Sequence, residues 1–338
     1  MSGKIKQLAP QIWKEIQKAN KILLHCHPSP DGDSLGSVLA MKLALEAIGK
    51  QADAIWGDSR QNTGLTCAPG YETVLEKNWF DIDISKYDLF IILDSAVIGQ
   101  ISSKGEINFP SQMSTVVIDH HKSNPGYAKI NLIVSEYPAT CQIVFDLFGE
   151  WGITLTKDIA LNLFMGIFTD TGGFKEDNVI PDTFFVAGEL ARTGANFSNL
   201  IFSIEKSWDP KFVEYMGAIF SSIEHFFQGK VAVCTISYKK MQLERFPAEI
   251  NGPDLADLIK SAKGNNISVT LKEKEPNVVG VSMRRRDNKI DLSKIAVATG
   301  SGGGHPGAAG ATIKMPLDQA KEFLLKTIQK VYPDLGEP

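Results

Sequence analysis

The chain is poor in the features that would assign it quickly. Its four cysteines, Cys26, Cys67, Cys141 and Cys234, form no C-x-x-C pair among 338 residues. That argues against a zinc knuckle or a thioredoxin-like redox site and fits single thiols buried in a reducing compartment. No apolar run approaches the ~18–20 residues of a membrane span. The net charge is only −4, with 22% charged residues, which argues against an extended basic face gripping long duplex nucleic acid. A short anion in a local positive pocket is still allowed. There is no repeat of 20–50 residues and no low-complexity segment. In place of the apolar core of a secretion signal, Ile5, Leu8, Ile12 and Ile16 recur at helical spacing beside Trp13, as in an amphipathic helix packed on a domain. A soluble cytoplasmic protein without a membrane partner is expected.

What is present is ordinary globular material. Hydrophobic residues make up 43% of the chain, enough at this length for two domains with cores of their own. Residues 21–27 (K-I-L-L-H-C-H), 88–93 and 115–118 are short apolar runs bounded by polar residues, as fully buried parallel strands are. A helix is predicted over 34–48, capped by Asp33 or Ser34 and ended by Gly49, with others near 139–149 and 157–169. Strands alternating with helices point to an open, mostly parallel sheet.

After residue 170, Gly172, Gly173 and Pro181 break the pattern. Residues 182–227 look helical, interrupted at Gly194 and Pro210. A second alternation begins near 230 with V-A-V-C-T-I, I-S-V-T-L and V-V-G-V-S-M. A glycine-rich turn at 300–304, a strand near 311–314 and a helix over 317–331 follow. The expected fold is therefore α/β. A mostly parallel sheet with flanking helices occupies 1–185, a helical connector 186–228, and a smaller α/β domain 229–338, with the substrate in a cleft between the two domains.

The chemistry-bearing residues fall at element ends. His27-Pro-Ser-Pro-Asp31-Gly-Asp33 follows the first strand, Asp94 closes F-I-I-L, Asp119-His120-His121 closes T-V-V-I, and Asp170 follows L-F-M-G-I-F-T. Ligand sites in open α/β sheets gather at the carboxyl ends of the strands. Each cluster alone has an ordinary structural explanation: helix caps for Asp31 and Asp33, an Asx turn for Asp94, surface or hydrogen-bonded histidines at 120–121, and a turn at Asp170. Together they bring many carboxylates to one rim, which is unfavourable unless a cation neutralises them. Carboxylates with imidazoles and no thiolate suit Mn²⁺. Two ions sharing a carboxylate would lie roughly 3.5–4 Å apart, the spacing used for displacement at phosphorus. In the second half, Ser282-Met283-Arg284-Arg285-Arg286 is the densest cationic run. Gly302-Gly303-Gly304-His305-Pro306-Gly307 is a stretch whose backbone N–H groups can approach an anion.

The order H-x-x-x-D-x-D, D, D-H-H, D, then G-G-G-H-P-x-A-x-G resembles the DHH phosphoesterase superfamily, and more narrowly its subfamily-1 branch of nanoRNases and pAp phosphatases. The resemblance covers nearly the whole chain. It implies that His27 and Asp31 bind one Mn²⁺, that Asp33, His120 and Asp170 bind a second, and that Asp94 bridges them. It further implies that His121 faces the substrate phosphate and that Asp119 steadies the histidine pair. Ser282 and Arg284 would hold the far phosphate, and His305 with Gly303 and Gly304 would close over the scissile one. His25, two residues upstream of His27, is expected in the core or behind the ligands. The implied activity is hydrolysis of short oligonucleotides or linear pApA to 5′-mononucleotides, and of pAp to AMP, and family analogy adds a homodimer formed through N-terminal helices as an expectation. The competing expectations are a family II pyrophosphatase, whose basic S-R-K-K-Q-type element is missing here, a RecJ-like single-strand exonuclease, a cyclic di-AMP phosphodiesterase, and a non-catalytic nucleotide-binding or metal-buffering protein.

Overall fold

The computed structural model describes residues 1–58, 63–206, 208–247, 250 and 252–337 and divides into two compact units, Met1–Lys206 and Ser207–Pro338. In the first, the chain runs α1 (Gly3–Lys18), β1 (Lys21–Cys26), α2 (Gly32–Ala47), β2 (Gln51–Trp56), β3 (Leu89–Leu93), β4 (Ser114–Asp119), β5 (Ile130–Ile133), α3 (Thr140–Trp151), α4 (Lys157–Asp170), α5 (Pro181–Ala191) and α6 (Phe197–Lys206). The strands form one sheet in the order β2-β1-β3-β4-β5, with every pairing parallel.

All five residues of β3 are buried, which explains its unbroken apolar run: both faces of the sheet are covered. Ile22, Leu24, Ile91, Leu93, Val116 and Ile118 pack with the cores of α2, α3 and α4. Leu23, Phe90, Ile92 and Val117 face the other way, onto Trp79, Tyr87, Ile101 and Met113. Each fully buried aliphatic side chain contributes about 1.5–3 kcal/mol relative to exposure. The pairing of α2 with α4 depends on small residues. A Cβ on Gly36 would run into the Asn162 carbonyl, and one on Gly166 into Cys141 Sγ and Asp33 Oδ1.

The first helix after β1 begins two residues earlier than its apolar pattern suggests. Its cap is Asp31 rather than Asp33 or Ser34: Asp31 Oδ1 accepts from Asp33 N at 3.0 Å and Ser34 N at 2.9 Å. Asp33 is thereby left inside the first turn, buried and aimed at α3. The short, half-polar strands β2 and β5 carry no clear apolar run, and the sequence pattern passes over them.

The second unit contains α7 (Pro210–Phe220), β6 (Glu224–Phe226), β7 (Val231–Ile236), α8 (Tyr238–Leu243), α9 (Leu255–Lys260), β8 (Ile267–Glu275), β9 (Val278–Arg285), α10 (Leu292–Ala298), β10 (Gly302–Gly304), β11 (Ala308–Ile313) and α11 (Leu317–Val331). Its sheet has the order β10-β11-β9-β8-β7-β6, and only β7 and β8 run parallel. α10 and α11 cover one face, while α7, α8 and α9 cover the other. The glycines expected as a turn at 300–304 instead form an edge strand at 302–304. A Cβ at Gly302 or Gly304 would collide with the backbone of β11, so glycine is what lets these strands pair. Among the described residues no helix is long and apolar enough to cross a membrane.

Candidate functional site

Parallel strands deliver their carboxyl ends to one rim. β1 brings His27 there, β3 brings Asp94, and β4 brings Asp119, His120 and His121, while the start of α2 adds Asp31 and Asp33 and the end of α4 adds Asp170. Asp94 sits one residue past its strand with φ 52°, a left-handed conformation that aspartate tolerates better than most residues. Its N–H donates to the Ile118 carbonyl at 3.1 Å, so the ladder holds while the side chain turns into the site. Backbone strain of this kind clusters at functional positions.

Asp94 faces two different sets of side chains. Its Oδ2 is 3.6 Å from His27 Nε2, which is 3.8 Å from Asp31 Oδ2. Its Oδ1 is 3.5 Å from His120 Nε2, which lies 3.4 Å from Asp170 Oδ2 and 3.9 Å from Asp33 Oδ2. These separations are too long for hydrogen bonds. They suit atoms sharing one cation, because neighbouring ligands at ~2.1 Å in an octahedral shell lie roughly 3 Å apart. His120 Nε2 is buried and has no hydrogen-bond partner, although three carboxylates surround it. His27 Nδ1 is 3.0 Å from the Pro28 carbonyl. With the proton on Nδ1 donated there, the Nε2 lone pair is free to bind a metal.

Without a cation, the crowded carboxylates are relieved by protonation. Burial, followed by the nearby Asp94 and Asp31, pushes the Asp33 carboxyl well above its usual range. Burial and the surrounding aspartates push Asp170 up to about 10. Burial opposes the charged form of His27, but Asp31 and Asp94 outweigh it and raise the imidazole to about 10. Burial holds His120 below the ordinary imidazole value. Three His/Asp groups meet here with ligand atoms all within 4.8 Å: His27–Asp31–Asp94, Asp33–His120–Asp170 and Asp94–His120–His121. The donors are oxygen and imidazole nitrogen, which fits Mn²⁺. Cys141 does not join them: burial keeps its thiol well above the usual range, and it stays protonated.

Supporting contacts fix these side chains. α3 has no side-chain cap of its own at Ala139. Asp33 takes that place, accepting from Thr140 N at 2.6 Å and Cys141 N at 2.9 Å, where the helix dipole favours negative charge. Thr140 Oγ1 donates to Asp94 Oδ1 at 3.1 Å. Asp119 is fully buried; it lies 2.8 Å from His121 Nδ1 and accepts from His120 N at 2.9 Å. That contact with Asp119 raises the His121 imidazole. Asn124 donates to Asp119 Oδ2 at 2.7 Å. His25 stands apart from the ligands, buried edge-on against Phe90 with ring centroids 5.4 Å apart, and burial lowers it to about 3. Thr140 and Asn124 escape a reading of the sequence, because neither residue type nor spacing marks them.

In the second unit, Ser282 and Arg284 lie on the same face of β9, and both engage a residue the motif pattern does not include. Ser282 Oγ donates to Asp254 Oδ2 at 2.8 Å and Arg284 Nη2 donates to it at 2.9 Å. Asp254 follows a proline at the start of α9, a cap signal that is visible in the sequence. Gly303 and Gly304 belong to β10, and an added Cβ at Gly303 would meet nothing within 4 Å. His305 is exposed and closes the hairpin, its N–H donating to the Ala308 carbonyl at 2.8 Å.

Comparison with known proteins gives these elements relatives. Residues 21–167 match the DHH family, N-terminal domain, and residues 248–332 match the DHHA1 domain. The bifunctional oligoribonuclease and PAP phosphatase NrnA of Thermus thermophilus is 30% identical over 330 residues, covering 95% of each chain. An exopolyphosphatase-related protein from Bacteroides fragilis superposes with a TM-score of 0.87 over 98% of both chains at 22% identity, a likeness of fold. RecJ from Thermus thermophilus in complex with Mn²⁺ shares the fold more distantly, with a TM-score of 0.51, 12% identity, and 99% of this chain against 55% of that one.

Proposed function

This chain belongs to the DHH family and is a hydrolase of phosphate esters, and on that premise we propose that it converts short oligonucleotides or linear dinucleotides such as pApA to 5′-mononucleotides, with conversion of pAp to AMP as a second activity. The observation that carries the proposal is the two-sided Asp94 carboxylate. One oxygen faces the His27–Asp31 pair and the other faces His120 with Asp33 and Asp170. Those two sets would hold two Mn²⁺ ions. When bound, the ions neutralise phosphoryl oxygens and activate water for in-line attack.

The remaining steps belong to the chain's own side chains. His121, its Nδ1 proton held by Asp119, presents Nε2 to a non-bridging phosphate oxygen and stabilises charge developing there. Asp119 fixes the tautomer and orientation of that ring. Ser282 and Arg284 bind the terminal phosphate at the substrate's far end, where a guanidinium gives a directional charge-assisted contact. Gly303, Gly304 and His305 supply donors over the scissile phosphate. The division of labour is part of the same proposal: a metal-binding catalytic domain over 1–185, a helical connector over 186–228 and a substrate-binding domain over 229–338. The mild net charge of −4 favours short substrates over a long polyanion, which separates this reading from a RecJ-like exonuclease.

Asp94→Asn tests it. Asparagine tolerates the left-handed backbone but cannot bridge two cations as a carboxylate does. The expected result is a folded protein that loses bound manganese, measured by elemental analysis, and loses on the order of a hundredfold or more in rate. Full activity and full metal content in the variant would refute the two-metal assignment.

A further inference from the structure

The site on β9 is occupied by the protein's own carboxylate. Ser282 Oγ carries a single proton, and it goes to Asp254 Oδ2 at 2.8 Å; Arg284 Nη2 donates to the same oxygen at 2.9 Å. Arg284 Nη1 is 3.0 Å from the Met283 carbonyl and 3.3 Å from Ser282 Oγ. A serine hydroxyl cannot donate to two acceptors at once. If Ser282 donates to a phosphate oxygen it must release Asp254 first, and Arg284, with five N–H donors, must then divide them between the phosphate and Asp254.

The surroundings are cationic. Asp254 and Ser282 line a cavity of about 270 Å³ in the second unit, together with Lys272 and Lys274, and Asp254 is its one acidic residue among those described. The Lys274 side chain lies across Gly280, close enough that a Cβ there would meet it at 2.7 Å. Asp254 is also anchored by its other oxygen, which caps α9 by accepting from Ala256 N at 2.8 Å and Asp257 N at 3.2 Å. It is therefore a fixed carboxylate with one oxygen committed to the helix and one presented to the serine–arginine pair.

We propose that Asp254 is an internal competitor for the phosphate-binding pair: in the ligand-free protein its Oδ2 takes the place of a phosphate oxygen on Ser282 and Arg284, and only a terminal phosphate displaces it. A 5′-hydroxyl end, without charge, does not. Asp254 thus acts as a specificity-determining residue, opposing weak or uncharged ligands and limiting retention of the mononucleotide product. The inference rests on the assignment of Ser282 and Arg284 to the terminal phosphate.

The test uses the full-length manganese-loaded enzyme with a 5′-phosphorylated dinucleotide, the same dinucleotide with a 5′-hydroxyl, and inorganic phosphate as competing ligand. Asp254→Asn and Asp254→Ser remove the charge and keep a capping side chain; melting temperatures verify the fold. The expected result is a three- to tenfold lower KM for the phosphorylated substrate, and a matching fall in the inhibition constant of inorganic phosphate. The 5′-hydroxyl substrate should change by less than twofold. Unchanged or weaker binding of the phosphorylated substrate and of phosphate in both folded variants would overturn the inference and leave the catalytic reading standing. A wild-type enzyme indifferent to the 5′-phosphate would remove the assignment of Ser282 and Arg284, and this inference with it.

Discussion

Asn124 Nδ2 lies 2.7 Å from Asp119 Oδ2 and 3.1 Å from the Ser95 carbonyl, so one amide ties the end of β4 to the residue after Asp94. Its Oδ1 accepts from Gly126 N at 2.9 Å, which completes the hydrogen bonds of a buried side chain. Asn124→Ala would leave Asp119 short of a partner and free the His120–His121 pair to shift. Loss of an outer hydrogen bond behind metal ligands typically lowers affinity or activity by about 10- to 100-fold. The expected result is a fall in kcat of that order with a smaller change in KM, and a melting temperature lower by a few degrees. Wild-type kinetics in Asn124→Ala would show that Asp119 needs no such support.

Removing the metal should make stability depend on pH in a defined direction. Folded Asp170 keeps its proton up to about 10, whereas an unfolded aspartate gives it up near ~4. Folded His27 keeps its own up to about 10, against ~6.5 unfolded. Between those values the folded chain binds more protons than the unfolded one, so stability falls as pH rises. Across pH 7 to 8.5 both groups act in the same sense. Chelator-treated protein should therefore melt at a lower temperature at pH 8.5 than at pH 7, as read by scanning calorimetry. With Mn²⁺ the ligands are deprotonated already, and the slope should flatten. A metal-free melting temperature that rises over this range would contradict the charge arrangement described for the site.

Gly166 links the packing of α4 to the proposed metal site, since an added Cβ would press on Cys141 Sγ and Asp33 Oδ1. Gly166→Ala should destabilise the protein by about 1–3 kcal/mol through overpacking, and it should also weaken metal binding by displacing Asp33. Gly149→Ala is the control: a Cβ there meets nothing within 4 Å. Equal metal affinity in the two variants would dissociate Asp33 from the helix contact.

The sequence made the parallel sheet legible because β1, β3 and β4 are buried on both faces, and their apolar runs are continuous. It did not make β2 and β5 legible, because a sheet-edge strand such as Ile130–Ile133, mostly half-buried, has no such signature. The cap of α2 is not decided by sequence because three candidate residues, Asp31, Asp33 and Ser34, fall within four positions, and only the tertiary contact of Asp33 with α3 decides among them. The aspartates and histidines that gather at the rim could be read from residue order alone. Two supports around them could not: Thr140 and Asn124 act through contacts 46 and 5 residues away in the chain, and nothing local marks them. Asp254 is legible as a helix cap but not as the partner of Ser282, 28 residues away.

The most direct test of the account is a product assay with the purified Mn²⁺-loaded protein. The substrates are pApA, a 5′-phosphorylated pentanucleotide, pAp, a single strand of about 24 nucleotides, cyclic di-AMP and pyrophosphate, with products separated by chromatography. The expected result is rapid release of 5′-mononucleotides from pApA and the pentanucleotide, AMP from pAp, and little action on the rest. Preferential hydrolysis of the long strand, of cyclic di-AMP or of pyrophosphate would contradict it.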